Sequence, residues 1–252
     1  MKLKKIKINN NILQNIFVIS PMCQYSAING CFSSWHYKHL KELIETNAGS
    51  LIIESTAISK IGRITKKDIC LFNYKHYLSH KKMIKYLKKI KNIPIILQLS
   101  HAGRKGSAES PLIRKNTLLG KKGGWTTWAP SRIKRSKKWS LPKEMSLKDI
   151  KTTINNFRTS AKLAFKAGYD GVEIHMAHGY LIHQFCSPIS NLRLDRYGLK
   201  KKNYKFPIEI IESIKKITPK NKIIGARVTG NDHLVNGIKP MDCLTLIKKL
   251  KS

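Results

Sequence analysis

Acidic residues are scarce in this chain: 14 Asp and Glu stand against 49 Lys and Arg among 252 residues, leaving a formal net charge of +35. A field of that sign attracts polyanions whatever the fold does. The basic residues are spread over the whole length, however, and no helix-turn-helix, zinc-finger or RNA-binding pattern accompanies them, so no specific nucleic-acid reader is indicated. Cysteine is sparse too. Cys23, Cys31, Cys70, Cys186 and Cys243 are odd in number and include no Cys-x-x-Cys pair, so neither a disulfide framework nor a zinc site is indicated. No stretch approaches the roughly 18 apolar residues of a membrane helix, and the basic residues 1–11 have no apolar signal-peptide core behind them. Internal repeats and low-complexity linkers are missing as well. A cytoplasmic protein with reduced thiols and no membrane contact is the expectation.

What is present is enough apolar material, 41% of residues, for one substantial core, so residues 1–252 read as a single domain. Short apolar runs alternate with amphipathic stretches. The runs at 16–19, 51–54, 93–99, 171–175 and 223–228 read as strands, and the stretches at 35–45, 76–90, 147–167, 207–217 and 241–250 as helices. Near-continuous apolar strands separated by helices indicate a parallel sheet covered by helices. Ser146, three residues before Asp149, suits a capping box at the start of a helix whose apolar positions Ile150, Ile154, Phe157, Ala161 and Ala164 recur at helical spacing. Residues 103–142, rich in Gly, Pro and Ser and carrying Trp125, Trp128 and Trp139, are too long for an ordinary connection and read as a functional loop or lid.

The densest chemistry is His175-Met176-Ala177-His178-Gly179-Tyr180, at the end of the fourth apolar run. A neutral imidazole N–H can hold charge developing on a carbonyl oxygen, and a phenol can hand over a proton. Two histidines three apart could instead bind metal, or be merely hydrogen-bonded structural residues; without a third ligand nearby metal is the weaker reading.

These residues sit in a longer pattern. The run from Gly171-Val172-Glu173-Ile174-His175 through His183-Gln184-Phe185, then Ser187-Pro188, Ser190-Asn191, Arg193, Asp195 and Tyr197-Gly198, closely resembles the old yellow enzyme family. The resemblance recurs at Ser20-Pro21-Met22-Cys23-Gln24-Tyr25, Glu54-Ser55-Thr56-Ala57, Gln98-Leu99-Ser100-His101-Ala102-Gly103-Arg104 and Gly225-Ala226-Arg227, all at strand ends. The subgroup with cysteine in the first loop, similar to bacterial NADPH dehydrogenases, fits best.

That resemblance implies an α/β fold of the TIM-barrel (β/α)8 type, FMN as cofactor and NADPH as reductant, with a small-molecule activated alkene as substrate. It implies that Ser20, Pro21, Met22, Cys23, Ala57, Gln98 and Arg227 contact the flavin, that His175 and His178 bind the substrate carbonyl, that Tyr180 is the proton donor and that Tyr25 lines the substrate pocket. Only about five strand–helix units can be counted, whereas a closed barrel has eight and takes its phosphate site from the loops after strands seven and eight. The expectation is therefore an incomplete barrel, C-terminally truncated, with open edges that invite homo-oligomers. The competing expectation for function is a non-catalytic remnant of the family with weak or no FMN binding.

Overall fold

The computed structural model describes residues 4–111 and 123–251. The chain opens with an antiparallel hairpin, β1 (Ile6–Ile8) and β2 (Asn11–Leu13). The Asn9 and Asn11 side-chain amides donate to the carbonyls of Lys222 and Asn221, which ties the hairpin to the segment entering the last strand.

Five parallel strands follow, each a neighbour of the next: β3 (Val18–Ile19), β4 (Ser50–Ala57), β5 (Ile95–Ser100), β8 (Gly171–Met176) and β9 (Ile223–Val228). Helices follow the strands: α1 (Ser34–Ile44), α2 (Tyr74–Ile90) and α3 (Leu147–Ala167) each connect two strands, α4 (Leu181–Cys186) and α5 (Lys205–Lys215) lie between β8 and β9, and α6 (Pro240–Lys251) comes after β9. This is the strand–helix succession of a (β/α) barrel, present as five units. β3 and β9 are the sheet's edges, with no further strand paired to them among the described residues.

One core joins sheet and helices. Leu51, Ile53, Leu97, Leu99, Val172 and Ile174 project from the sheet into Met83, Leu87, Phe157, Ala161, Ala164, Ile210 and Ile214 of the helices, all buried. Helix α3 starts as its sequence indicates. The Ser146 hydroxyl accepts from the Asp149 amide at 3.1 Å, and the Asp149 carboxylate accepts from the Ser146 amide at 2.9 Å.

The first strand of the parallel sheet is shorter than the apolar run 16–19 predicts. β3 is confined to Val18–Ile19 because the Phe17 amide is taken by the Asn15 side chain at 2.9 Å and is withdrawn from pairing. Within 103–142 the described part is not bare loop. It holds a short 3-10 turn at Gly103–Lys105 and the strand piece β6 (Trp128–Ala129), which pairs in parallel with β7 (Lys143–Glu144) just beyond it. Residues 112–122 of that expected lid lie outside the described residues.

His80 of α2 shows how the helix layer depends on neutral histidine. Fully buried against the Phe32 ring, it accepts from the Tyr169 hydroxyl on Nδ1 at 2.7 Å and donates from Nε2 to the Cys70 carbonyl at 3.1 Å. Burial pulls its pKa down to about 3, and does the same for His101. In the unfolded chain these rings take a proton below the ordinary histidine value of about 6.5, so in the window between about 6.5 and 3 the unfolded state binds more protons. Stability should therefore fall on acidification, by about 1.4 kcal/mol per pH unit for each histidine. Urea midpoints measured from pH 7 to pH 4 check this, and His80→Phe should flatten the slope.

Candidate active site

Successive residues of a strand face opposite sides. Since Leu97, Leu99, Val172 and Ile174 face the helices, Gln98, Ser100, Glu173 and His175 share the inner side. Pairing aligns them across strands: Ala57 with Ser100, Gln98 with Glu173, and His175 with Arg227. The inner side is polar. The Gln98 amide donates to Glu173 Oε1 at 2.6 Å. Burial pushes the Glu173 carboxyl up, while this hydrogen bond and the Arg227 charge hold it back. The Ser100 hydroxyl is buried without a partner among the described residues, so this face offers unmet hydrogen-bonding capacity.

At the C-terminal end of β8 the chain turns through His178 and Gly179, both left-handed at φ 58° and 69°. That conformation is costly for a residue with a Cβ, and polar contacts hold it. The His178 amide donates to Thr229 Oγ1 at 3.2 Å, the Gly179 amide donates to His183 Nδ1 at 3.0 Å, and Lys105 Nζ donates to the His178 carbonyl at 2.6 Å. His183 is itself anchored, with Nε2 at 2.8 Å from Asp232 Oδ1. Gln184, buried in α4, bridges to the β5 loop by donating to the Ala102 carbonyl and accepting from the Arg104 amide. Only glycine fits at Gly103, where φ is +59° and a Cβ would lie 2.5 Å from the Gln184 side chain.

The turn brings the rings together. His175 Nε2 and His178 Nδ1 are 3.3 Å apart with rings near perpendicular, and the Tyr180 ring meets His175 edge-on at 5.0 Å between centroids. The Ala177 amide donates to His175 Nδ1 at 3.2 Å, so the neutral ring carries its proton on Nε2. Burial, reinforced by His178, Arg227 and Lys105, lowers the His175 pKa to about 3; burial and the same cations lower that of His178. Both imidazoles are therefore neutral donors at neutral pH. Tyr180 is held protonated, since burial raises its pKa above the ordinary phenol value.

Cys23 and Tyr25 reach the same spot from the first strand's loop, packing with Tyr180 against Ile64, Ala102, Ala108 and Trp139. Burial, and then Asp68 and Glu54, push the Cys23 thiol up, so it stays a neutral thiol. Tyr25 sits at φ 49°, an uncommon conformation for a large side chain. Ser20 and Met22 stand apart from this cluster. They wall a cavity of about 200 Å³ with Gln24, Glu54 and His39, and Met22 is 70% exposed. Thus His175, His178, Tyr180, Tyr25 and Cys23 form one group, Gln98, Ala57 and Arg227 line the adjoining strand ends, and Ser20, Pro21 and Met22 lie at the β3 edge. Among the described residues no group of three His, Cys, Asp or Glu is placed to hold a metal.

Sequence reasoning passed over Lys105, Glu173 as a partner, Thr229, Asp232 and Arg135. Glu173 was accessible from its i, i+2 spacing to His175; the others come from separate loops and carry no local signal.

The geometry defines a (β/α)-barrel protein whose polar constellation lies at the C-terminal ends of its strands, where barrel enzymes carry their sites. A sequence model of the NADH:flavin oxidoreductase / NADH oxidase family matches residues 3–252, and the chain belongs to that family. It is 38% identical over 232 residues to an NADH:flavin oxidoreductase of Gibberella zeae, covering 90% of this chain and 56% of that protein. It is 36% identical over 249 residues to an NADPH dehydrogenase of Clostridium acetobutylicum, covering 97% and 68%. The fold overlays on an Old Yellow Enzyme from Pichia sp. AKU4542 with a TM-score of 0.83 at 24% identity, covering 98% of this chain and 65% of that one. The chain thus spans between about half and two-thirds of the length of these relatives.

Proposed function

We propose that this chain is an FMN-dependent NAD(P)H oxidoreductase that reduces the activated C=C bond of an α,β-unsaturated carbonyl compound. The observation that carries the reading is the convergence of two neutral imidazoles and a protonated phenol at the end of a polar inner strand face. Relatives named NADPH dehydrogenase favour NADPH as reductant.

The residues fit such a cofactor. Gln98 and the unpartnered Ser100 hydroxyl offer hydrogen bonds, Ala57 leaves room beside them, and the half-buried Arg227 supplies a permanent positive charge at the strand ends. Cys23, with Ser20, Pro21 and Met22, would flank the ring from the first loop. Held there, FMN would supply the hydride-transfer chemistry that links NADPH to the alkene.

The chain's own groups do the rest. His175 Nε2–H and His178 would donate to the substrate carbonyl oxygen, stabilising negative charge as hydride reaches the β-carbon. Tyr180 would give its hydroxyl proton to the α-carbon, and Tyr25 would wall the pocket beside it. NADPH leaves as NADP+, and the alkene gains one hydride and one proton.

The test is to load the purified chain with FMN, remove free flavin, and follow NADPH absorbance with and without an enone under anaerobic conditions. Flavin-dependent oxidation that the enone sustains is the expected result. A chain that retains no FMN and oxidises no NADPH would be a non-catalytic member of the family. One that transfers hydride to FMN but ignores enones would refute the alkene-reduction assignment.

A further inference from the structure

With 49 Lys and Arg against 14 Asp and Glu, carboxylate partners are scarce, and a minority of the described cations have one. Lys88 and Lys222 share Asp170, Arg193 pairs with Asp195 and Glu144, Lys143 pairs with Asp149, and Lys202 pairs with Asp242. Three at the mouth of the site do not. Among the described residues no carboxylate lies within ion-pair distance of Arg104, Lys105 or Arg135.

Their positions are defined by other contacts. Lys105 Nζ donates to the His178 carbonyl and lies 5.0 Å from the centre of the Tyr180 ring. Arg104 is half-buried, with Nη1 donating to the Ile133 carbonyl at 3.3 Å. Arg135 is exposed and stacks its guanidinium 4.5 Å over Trp139, the buried ring that packs with Cys23, Tyr25 and Tyr180. Asp68, whose field reaches Tyr180, is already occupied by the Ile64 amide and by the Thr65 amide and hydroxyl.

We propose that Arg104, Lys105 and Arg135 form an anion-recognition rim, and that the alkene this site selects carries a carboxylate or similar oxyanion beside its activated double bond. The inference rests on the alkene-reduction reading and adds the substrate's charge class to it. Like charges gathered without counterions repel one another, and the burial of Lys105, with Arg135 and Arg104 beside it, brings the pKa of its amine down to about 8. A bound oxyanion relieves that repulsion. Arginine suits the task because its planar fork matches a carboxylate and remains charged at any working pH. Since Lys105 reaches both Tyr180 and the His178 backbone, an anion on this rim lies next to the carbonyl-binding pair.

The same chemistry could meet the phosphates of the hydride donor, and the experiment separates the two. With FMN-loaded protein, kcat/KM is measured for an oxoenoate, for its neutral methyl ester, and for NADPH, in the native chain and in Arg135→Gln and Arg135→Lys. The acid-to-ester ratio should favour the acid, fall about tenfold in Arg135→Gln, the equivalent of roughly 1.4 kcal/mol, and recover largely in Arg135→Lys. A ratio near one in the native chain, or a loss confined to NADPH, overturns the proposal. If neither compound is reduced, the alkene-reduction reading fails. Quenching of tryptophan emission by the two ligands then still decides the rim, because equal affinity for acid and ester would overturn it and weaker acid binding in Arg135→Gln would support it.

Discussion

Replacing Tyr180 by phenylalanine should slow reduction of an enone by roughly 10²- to 10⁴-fold, the usual contribution of a positioned proton donor. Hydride transfer from NADPH to the flavin should be nearly unaffected, because no proton from Tyr180 is needed there. The substitution keeps the ring that packs edge-on against His175 at 5.0 Å and beneath Lys105, so the fold should be preserved. Stopped-flow measurement of flavin reduction by NADPH, and separately of its reoxidation by enone, resolves the two half-reactions. Equal slowing of both would remove Tyr180 from the proton-donor role. A second signature follows from its surroundings. Burial raises the Tyr180 pKa above that of an exposed phenol, near ~10, so its ionisation should not limit the native rate as pH rises through that value.

The other large effect is expected at the histidine pair. His175→Ala should lower kcat/KM for the enone by about 10²- to 10³-fold, as loss of one donor to a developing oxyanion does in comparable sites. His178→Ala should also be severe. The double variant should cost much less than the product of the two, because the rings are 3.3 Å apart and, in the proposed mechanism, would donate to one oxygen. Steady-state rates for the two single variants and the double variant give the coupling directly. If both singles remain within about twofold of the native chain, carbonyl polarisation by this pair is wrong. His175 is buried and its ring touches Tyr180, so each variant's urea midpoint accompanies the rates to separate lost chemistry from lost structure.

Much of the architecture was readable because local periodicity and burial coincide. Residues 223–228 and 147–167 emerge as β9 and α3 with those bounds, since each has a sharp start: a paired parallel register for the strand and a reciprocal Ser146–Asp149 cap for the helix. Helix α4 was not anticipated. Its six residues are all buried, so no polar face marks a helical period. The edge strand was overestimated, because the run 16–19 looks apolar enough for a strand while Phe17 and its neighbours remain exposed and the Phe17 amide belongs to Asn15.

The site divides along similar lines. His175, His178 and Tyr180 are neighbours in sequence, and a strand end followed by a glycine is enough to suggest that they act together. Cys23 and Tyr25 lie far away in sequence, and only their packing with Tyr180, Ala102 and Trp139 joins them to the histidines.

By itself the sequence determined the order of the five sheet strands and the five longer helices, the family, and the chemical types at the strand ends, because these depend on residue identity at short spacing. Tertiary structure alone decided which groups are charged and which way they donate. The Ala177 amide sets the proton of His175 on Nε2, burial keeps both imidazoles neutral and Tyr180 protonated, and Thr229, His183 and Asp232 hold the left-handed turn at His178. It also gathered Arg104, Lys105 and Arg135 around the Tyr180 and Trp139 rings with no carboxylate within ion-pair distance among the described residues, since such grouping depends on neighbours that the fold brings in from distant positions.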